Sequence, residues 1–347
     1  MRKESARTRP SRVLAAKRVR AHPAEPGACG KAHASVQALS ALLDKRLIVV
    51  TGKGGVGKTT VSAALGLLAA RSGKRAIVAE VSEQERLSGL FGRRALGHRE
   101  GVLADGLHGI SIDPRRAKEE WLRYQLKSSA LAGLLGGSRI FQYLTAAAPG
   151  VDELVTIGKV WDLAQLERRV GGSRPYDVAI VDSPATGHGV ALLRAPRTYA
   201  QIARVGPIAK QANGIHKFLT DPASTGVVAV ALPEEMPINE TIDLRLSLRA
   251  DMGMEIETVV VNAVLPQRFD AKEARRLAKP PGKASEPARA AVAAALAEHT
   301  RAKEQREEIE RLRRDAEAPV VTLPFLFEPD LGAAQVEELS RRLEAEL

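Results

Sequence analysis

The chain alternates short apolar runs with longer stretches whose apolar residues recur at helical spacing. Leu47–Thr51, Ala76–Val81, Leu107–Ile112, Val178–Asp182, Val227–Leu232, Thr258–Asn262 and Val320–Leu323 are β-branched and continuous rather than alternating with polar residues. Strands of that kind bury both faces, which predicts a mostly parallel sheet flanked by helices. Val61, Ala64, Leu65 and Leu68, at i, i+3, i+4 and i+7, predict a helix that stops at Gly73.

Some 65 residues separate the third run from the fourth, too many for one crossover helix. Their apolar groups, Trp121, Leu122, Tyr124 and Leu126, then Leu131, Leu134 and Leu135, then Phe141, Tyr143 and Leu144, predict helices with exposed apolar positions. A second helical stretch follows Gly189, with expected interruptions at Pro196 and Pro207. Together they read either as a helical subdomain inserted roughly at 113–150 and 190–220 or as ordinary core-facing helices. Ala288–Glu317 predicts a long solvent-facing helix with opposite charges at i, i+4 in Lys303–Glu307, Glu307–Arg311 and Glu310–Arg314. The final helix, Ala334–Leu347, mixes both signs of charge and does not suit membrane targeting.

At 347 residues, 44% hydrophobic and 27% charged, the chain suits one α/β domain with an insertion, or two small domains. No apolar run reaches the length of a membrane span. Cys29 is the only cysteine, which excludes an internal disulfide and a Cys-x-x-Cys metal site and fits a reducing, cytoplasmic setting. Net charge is +11, but residues 1–46 hold eleven Lys/Arg against three acids. The remainder is therefore nearly balanced, and the protein as a whole does not read as a nucleic-acid binder. Residues 1–44 read as a basic, disordered extension, the one part suited to acidic partners, RNA or an anionic surface. Residues 45–347 hold the folded domain.

After the first strand comes Gly52-Lys53-Gly54-Gly55-Val56-Gly57-Lys58-Thr59-Thr60, which contains Gly-x-x-x-x-Gly-Lys-Thr, the spacing of a phosphate-binding P-loop. Glycines let consecutive backbone N–H groups converge on phosphate oxygens, and the following helix turns its positive end to the same anion. Lys58 is spaced to reach the β- and γ-phosphates of ATP, and Thr59 to hold Mg²⁺. Lys53 is an extra cation in the loop. Asp182 closes the strand Val178–Asp182 and reads as the acid that holds Mg²⁺ through water, with Gly187 downstream in the same loop positioned to sense the γ-phosphate.

Lys53 makes the loop resemble the deviant P-loop of the signature-lysine ATPases. The run Asp182-Ser-Pro-Ala-Thr-Gly-His188 with Leu192-Leu193-Arg194-Ala195-Pro196 resembles the switch II of the ArsA/GET-type ATPases, the arsenite-pump and tail-anchored-protein targeting enzymes. Pro149–Glu153, Leu87–Gly92, Pro233-Glu234-Glu235 with Glu240-Thr241, and Val261-Asn262 also resemble that family's motifs, in order, from about Lys45 onward. The resemblance implies an α/β P-loop fold of the signature-lysine type with a helical insertion, and a Mg²⁺-dependent ATPase. It implies a homodimer or a pairing with a paralogous ATPase, with a protein client. Within it, Lys53 reaches the partner's nucleotide and Asn262 hydrogen-bonds adenine.

The sequence departs from the family at the switch I acid, whose position falls on Ser82. Glu80 and Glu83 flank it, and Glu83 is the expected water-orienting substitute. The zinc-clamping and arsenite-binding cysteines of the family are missing, and the seven histidines show no paired ligand spacing. Two other readings stay open: a Min/Par-type positioning ATPase, and a weakly hydrolysing, nucleotide-gated regulatory subunit.

Overall fold

The computed structural model describes residues 41–82, 84–126, 150–168, 174–203, 205–279 and 285–346. Most of the expected basic extension, the apolar stretch from Leu131 to Leu144, Pro149 and Glu83 lie outside these residues. The elements in chain order are β1 (Leu47–Gly52), α1 (Lys58–Arg71), β2 (Ala76–Glu80), α2 (Leu87–Leu90), β3 (Gly101–Ala104), β4 (Leu107–Ser111), α3 (Pro114–Leu126), α4 (Val151–Leu163), β5 (Val178–Asp182), α5 (Thr186–Ala203), α6 (Pro207–Thr220), β6 (Thr225–Ala231), α7 (Glu235–Met252), β7 (Thr258–Val264), α8 (Ala271–Leu277), α9 (Glu286–Asp315), β8 (Val320–Pro324) and α10 (Ala333–Glu344).

The strands form one sheet in the order β3-β4-β2-β5-β1-β6-β7-β8, parallel throughout except for β3. Alternation within each run sends successive side chains to two separate cores. Leu47 and Val49 enter the core under α4, α5, α6, α7 and α9, whereas Ile48 and Val50 enter the one under α1 and α10. That two-sided burial is why the runs are continuously apolar. β1 lies between β5 and β6, which brings the end of the P-loop strand beside Asp182.

Several sequence expectations change. β3 has no counterpart among the predicted strands, because in this edge strand only Leu103 is buried. Pro196 does not interrupt its helix but lies buried inside α5, whereas Pro207 opens α6 at a position where its missing N–H has no helical acceptor to lose. Trp121 and Leu122 face the body of the protein rather than solvent, Trp121 packed on the core and Leu122 buried. Of the three charge pairs on α9, Lys303–Glu307 forms at 3.4 Å, but Arg311 pairs with Glu308 and Arg313 with Glu310, at i, i+3.

An ion cluster joins α3 to α4. Lys159 Nζ lies 2.7 Å and His98 Nε2 3.2 Å from the Glu120 carboxylate, and His98 Nδ1 accepts the Asp113 N–H. Burial alone would raise the Glu120 carboxyl, but the hydrogen bonds from His98 and Lys159 and the Lys159 charge outweigh it and hold it at about 2. Ionised Glu120 therefore contributes stability above pH 4.5, lost as pH falls through about 2. Because the carboxylate is 38% exposed, solvent screening reduces that contribution to about 1 kcal/mol. Glu120→Gln should lower stability by about that amount at pH 7 and by almost nothing at pH 2, read from urea unfolding at the two pH values.

Candidate functional site

The site lies at the carboxyl ends of β1, β2 and β5, where open α/β sheets leave a crevice. The P-loop connects β1 to α1. Gly52 has φ 145°, and a Cβ there would overlap the Val230 carbonyl of β6, so only glycine lets the loop leave the sheet so close to its neighbour. Gly57 caps α1 at φ 92°, against the Asn262 side chain. Val56 is buried under the loop and anchors it to the α1 core.

Both lysines of the loop and Thr59 are engaged with protein atoms. Lys58 Nζ donates to the Lys53 carbonyl at 2.9 Å, folding back over the loop. Burial pulls its ammonium below its ordinary value, an effect the Asp182 charge partly opposes. Thr59 Oγ1 donates to Asp182 Oδ2 at 2.6 Å, so hydroxyl and carboxylate converge from different elements. Lys53 Nζ lies 2.7 Å from Glu240 Oε1 and 2.9 Å from Met236 Sδ on α7, which gives it a partner within its own subunit that the sequence did not reveal.

Asp182 is 4% exposed. Burial raises its carboxyl to about 6; the Thr59 hydrogen bond opposes this rise and the Glu80 charge adds to it. Asp182 and Glu80 are register partners on adjacent strands, which is why their charges meet. Glu80 is raised by burial too, but it accepts the Arg86 and Leu87 N–H groups and the Ser82 hydroxyl. It therefore caps the first turn of α2. The single Ser82 hydroxyl proton is shared with the nearer Gln84 carbonyl, at 2.6 Å against 3.3 Å for Glu80 Oε1. Gly187 and His188 fall in the first turn of α5, not in the loop expected from sequence, because α5 begins at Thr186.

A cavity of about 830 Å³ opens over these groups. The P-loop, Glu80, Ser82 and Asp182 line it together with Ile112, just after β4, and Asp152, Glu153 and Thr156 of α4. In the sequence, Asp152 and Glu153 stand out only as part of a resemblance motif, with no chemistry attached. Asn262 sits at a bulge in β7 where Ala263 takes φ 60°, and its Nδ2 donates to the Val56 carbonyl at 3.0 Å. That irregularity turns the strand-end amide toward the P-loop rim.

Hydroxyl and carboxylate oxygens at Thr59 and Asp182 make a hard-donor pair of the kind Mg²⁺ takes. The high-lying Asp182 carboxyl marks a buried charge that a cation would relieve, so these residues fit the ion. Among the described residues no cluster of three His, Cys, Asp or Glu side chains is arranged to hold a metal by itself.

Residues 45–207 and 200–280 match the family described as anion-transporting ATPase, more than half of the chain. The chain belongs to that family. It is 29% identical over 247 residues to the ATPase BagA of Mycobacterium tuberculosis, covering 69% of this chain and 71% of that one. It is 27% identical over 259 residues to the ATPase GET3 of Candida glabrata, covering 64% of this chain and 73% of the relative. The protein is thus an ATPase-family member of the ArsA/GET3 type, with a P-loop fold on an eight-stranded sheet. No helix among the described residues is long and apolar enough to cross a membrane.

Proposed function

We propose that the protein binds and hydrolyses ATP with Mg²⁺, and that hydrolysis is coupled to closure of a dimer that handles a protein client. The observation that carries this is the convergence of Lys58, Thr59 and Asp182 on a cavity of nucleotide size. Binding of phosphate draws Lys58 from the Lys53 carbonyl, while loop N–H groups and the α1 N-terminus take the anion. Thr59 and Asp182 are the oxygen donors that would hold Mg²⁺, which supplies charge neutralisation at the phosphates. In the reaction a water oxygen bonds to the γ-phosphorus as the bond to the ADP oxygen breaks, and the water proton ends on the released phosphate or its solvent. Asn262, on the loop rim, would contact the base.

Lys53 is the group assigned to the partner's nucleotide. Lys53→Ala should keep ATP affinity within about threefold yet lose ATP-promoted self-association, and with it turnover by about 10²-fold or more. Sedimentation velocity with a non-hydrolysable ATP analogue, beside phosphate release, reads both. A monomer of the wild-type protein under all nucleotide conditions would defeat the dimer reading.

A weakly hydrolysing regulatory role is favoured by one observation. Ser82 replaces an acid, and Glu80 is committed to the α2 backbone, so neither offers a free carboxylate to water. Glu83 remains the proposed substitute. The positioning-ATPase alternative loses support because the apolar face of α10, Val336, Leu339 and Leu343, is buried in the α1 core rather than available to a membrane.

A further inference from the structure

Both lysines of the P-loop rest on protein acceptors. Lys58 holds the Lys53 carbonyl, whereas the Lys53 side chain leaves the cavity and lies along α7. Met236 and Glu240 are four residues apart on that helix, hence on one face, and present a thioether and a carboxylate to the same ammonium at 2.9 and 2.7 Å. This cradle is positioned from two sides. Gly52, adjacent to Lys53, is pressed against Val230 of β6, the strand that leads into α7. On its other flank α7 is tied to α9, where Arg311 donates to Asn239 Oδ1 at 2.8 Å and to the Glu235 carbonyl at 3.4 Å.

We propose that Glu240 is a positioning residue that parks Lys53 within its own subunit until nucleotide is bound on both sides of the dimer. This rests on the reading of Lys53 as the group that reaches the partner's nucleotide. The side chains of Lys53 and Glu240 are 33% and 38% exposed, so the pair is worth little beside a triphosphate. It is strong enough to bias a flexible side chain and weak enough for the partner's phosphates to displace. Parking also neutralises Lys53 when no anion is present, so that two loops need not approach each other with uncompensated charge. Arg311, by fixing α7 to α9, keeps the carboxylate where the lysine finds it.

Two readouts on the full chain test this. The first concerns the nucleotide-free monomer and does not need dimerisation: amine acetylation of Lys53, followed by mass spectrometry, in wild type, Glu240→Gln and Glu240→Asp. Lys53 should label about two- to fivefold faster in Glu240→Gln, with Glu240→Asp between it and wild type. The second is self-association with a non-hydrolysable ATP analogue, where Glu240→Gln should lower the midpoint concentration about two- to fivefold while leaving ATP affinity unchanged. Equal labelling of Lys53 in all three proteins overturns the parking contact. Faster labelling with an unchanged or weakened dimer overturns its role in gating closure. A wild type that never dimerises removes the dimer reading and the gating role together, whereas faster labelling in that case still supports the contact itself.

Discussion

Lys58→Ala should leave a folded protein with ATP affinity reduced by at least about 10³-fold, below detection in ordinary calorimetry. Lys58 is the one loop side chain folded over the phosphate-binding backbone, and burial has already cost its ammonium part of its hydration. A charge-assisted contact to phosphate in such a place is worth several times a neutral hydrogen bond, and an unopposed buried phosphate loses about 3–5 kcal/mol when its partner is removed. The fold does not depend on the same contact. Among the described residues Lys58 donates only to the carbonyl of Lys53 in the same loop, so the melting temperature should move by no more than a few degrees. Retained ATP binding in this variant would remove the phosphate-site assignment altogether.

The architecture was legible where burial is two-sided. Seven strands could be read because every residue of β1, β2, β5 and β6 and more than half of each of β4, β7 and β8 is buried, and a continuous apolar run is the signature of that state. β3 escaped because an edge strand with one buried residue has no such signature. Pro196 misled because the rule that proline ends helices is local, whereas burial of its ring in the α5 packing is tertiary. Of the candidate site residues, the loop Gly52–Thr60 and Asp182 could be found from spacing alone, since phosphate binding and strand-end placement are short-range patterns. The partners of those residues could not. Glu240 lies 187 positions from Lys53, and Glu80 meets Asp182 only through the register of β2 on β5. Glu80 also shows the limit of reading acids by position: its carboxylate is turned to the backbone of α2, which no charge pattern reveals.

Asp182→Asn should lower turnover by about 10²-fold or more and at the same time make the metal-free protein more stable. The loss follows from removing the anionic half of the Thr59–Asp182 donor pair, since polarisation of the phosphates by a bound metal is worth several kcal/mol. The gain follows from the direction in which the fold moves the Asp182 carboxyl. Burial first, with the Glu80 charge adding, raises it from 3.8 to about 6. A raised acid favours the native state in its protonated form, so stability from this group is full below pH 3.8 and is lost as pH climbs through about 6. A rise of that size corresponds to about 3 kcal/mol against the ionised native state at pH 8. The Glu80 charge acts on Asp182 from the adjacent strand, so the fall belongs to the pair rather than to either carboxyl. Asparagine keeps the oxygen that accepts from Thr59 and removes the charge. Urea unfolding of wild type in EDTA should therefore show stability falling between about pH 4 and pH 7, with a much flatter profile in the variant. Added Mg²⁺ should restore the wild type at pH 8 by mass action and leave Asp182→Asn unmoved. A variant no more stable than wild type at pH 8, together with a wild type indifferent to Mg²⁺, would show that the Asp182 carboxylate carries neither the buried charge nor the metal role assigned to it.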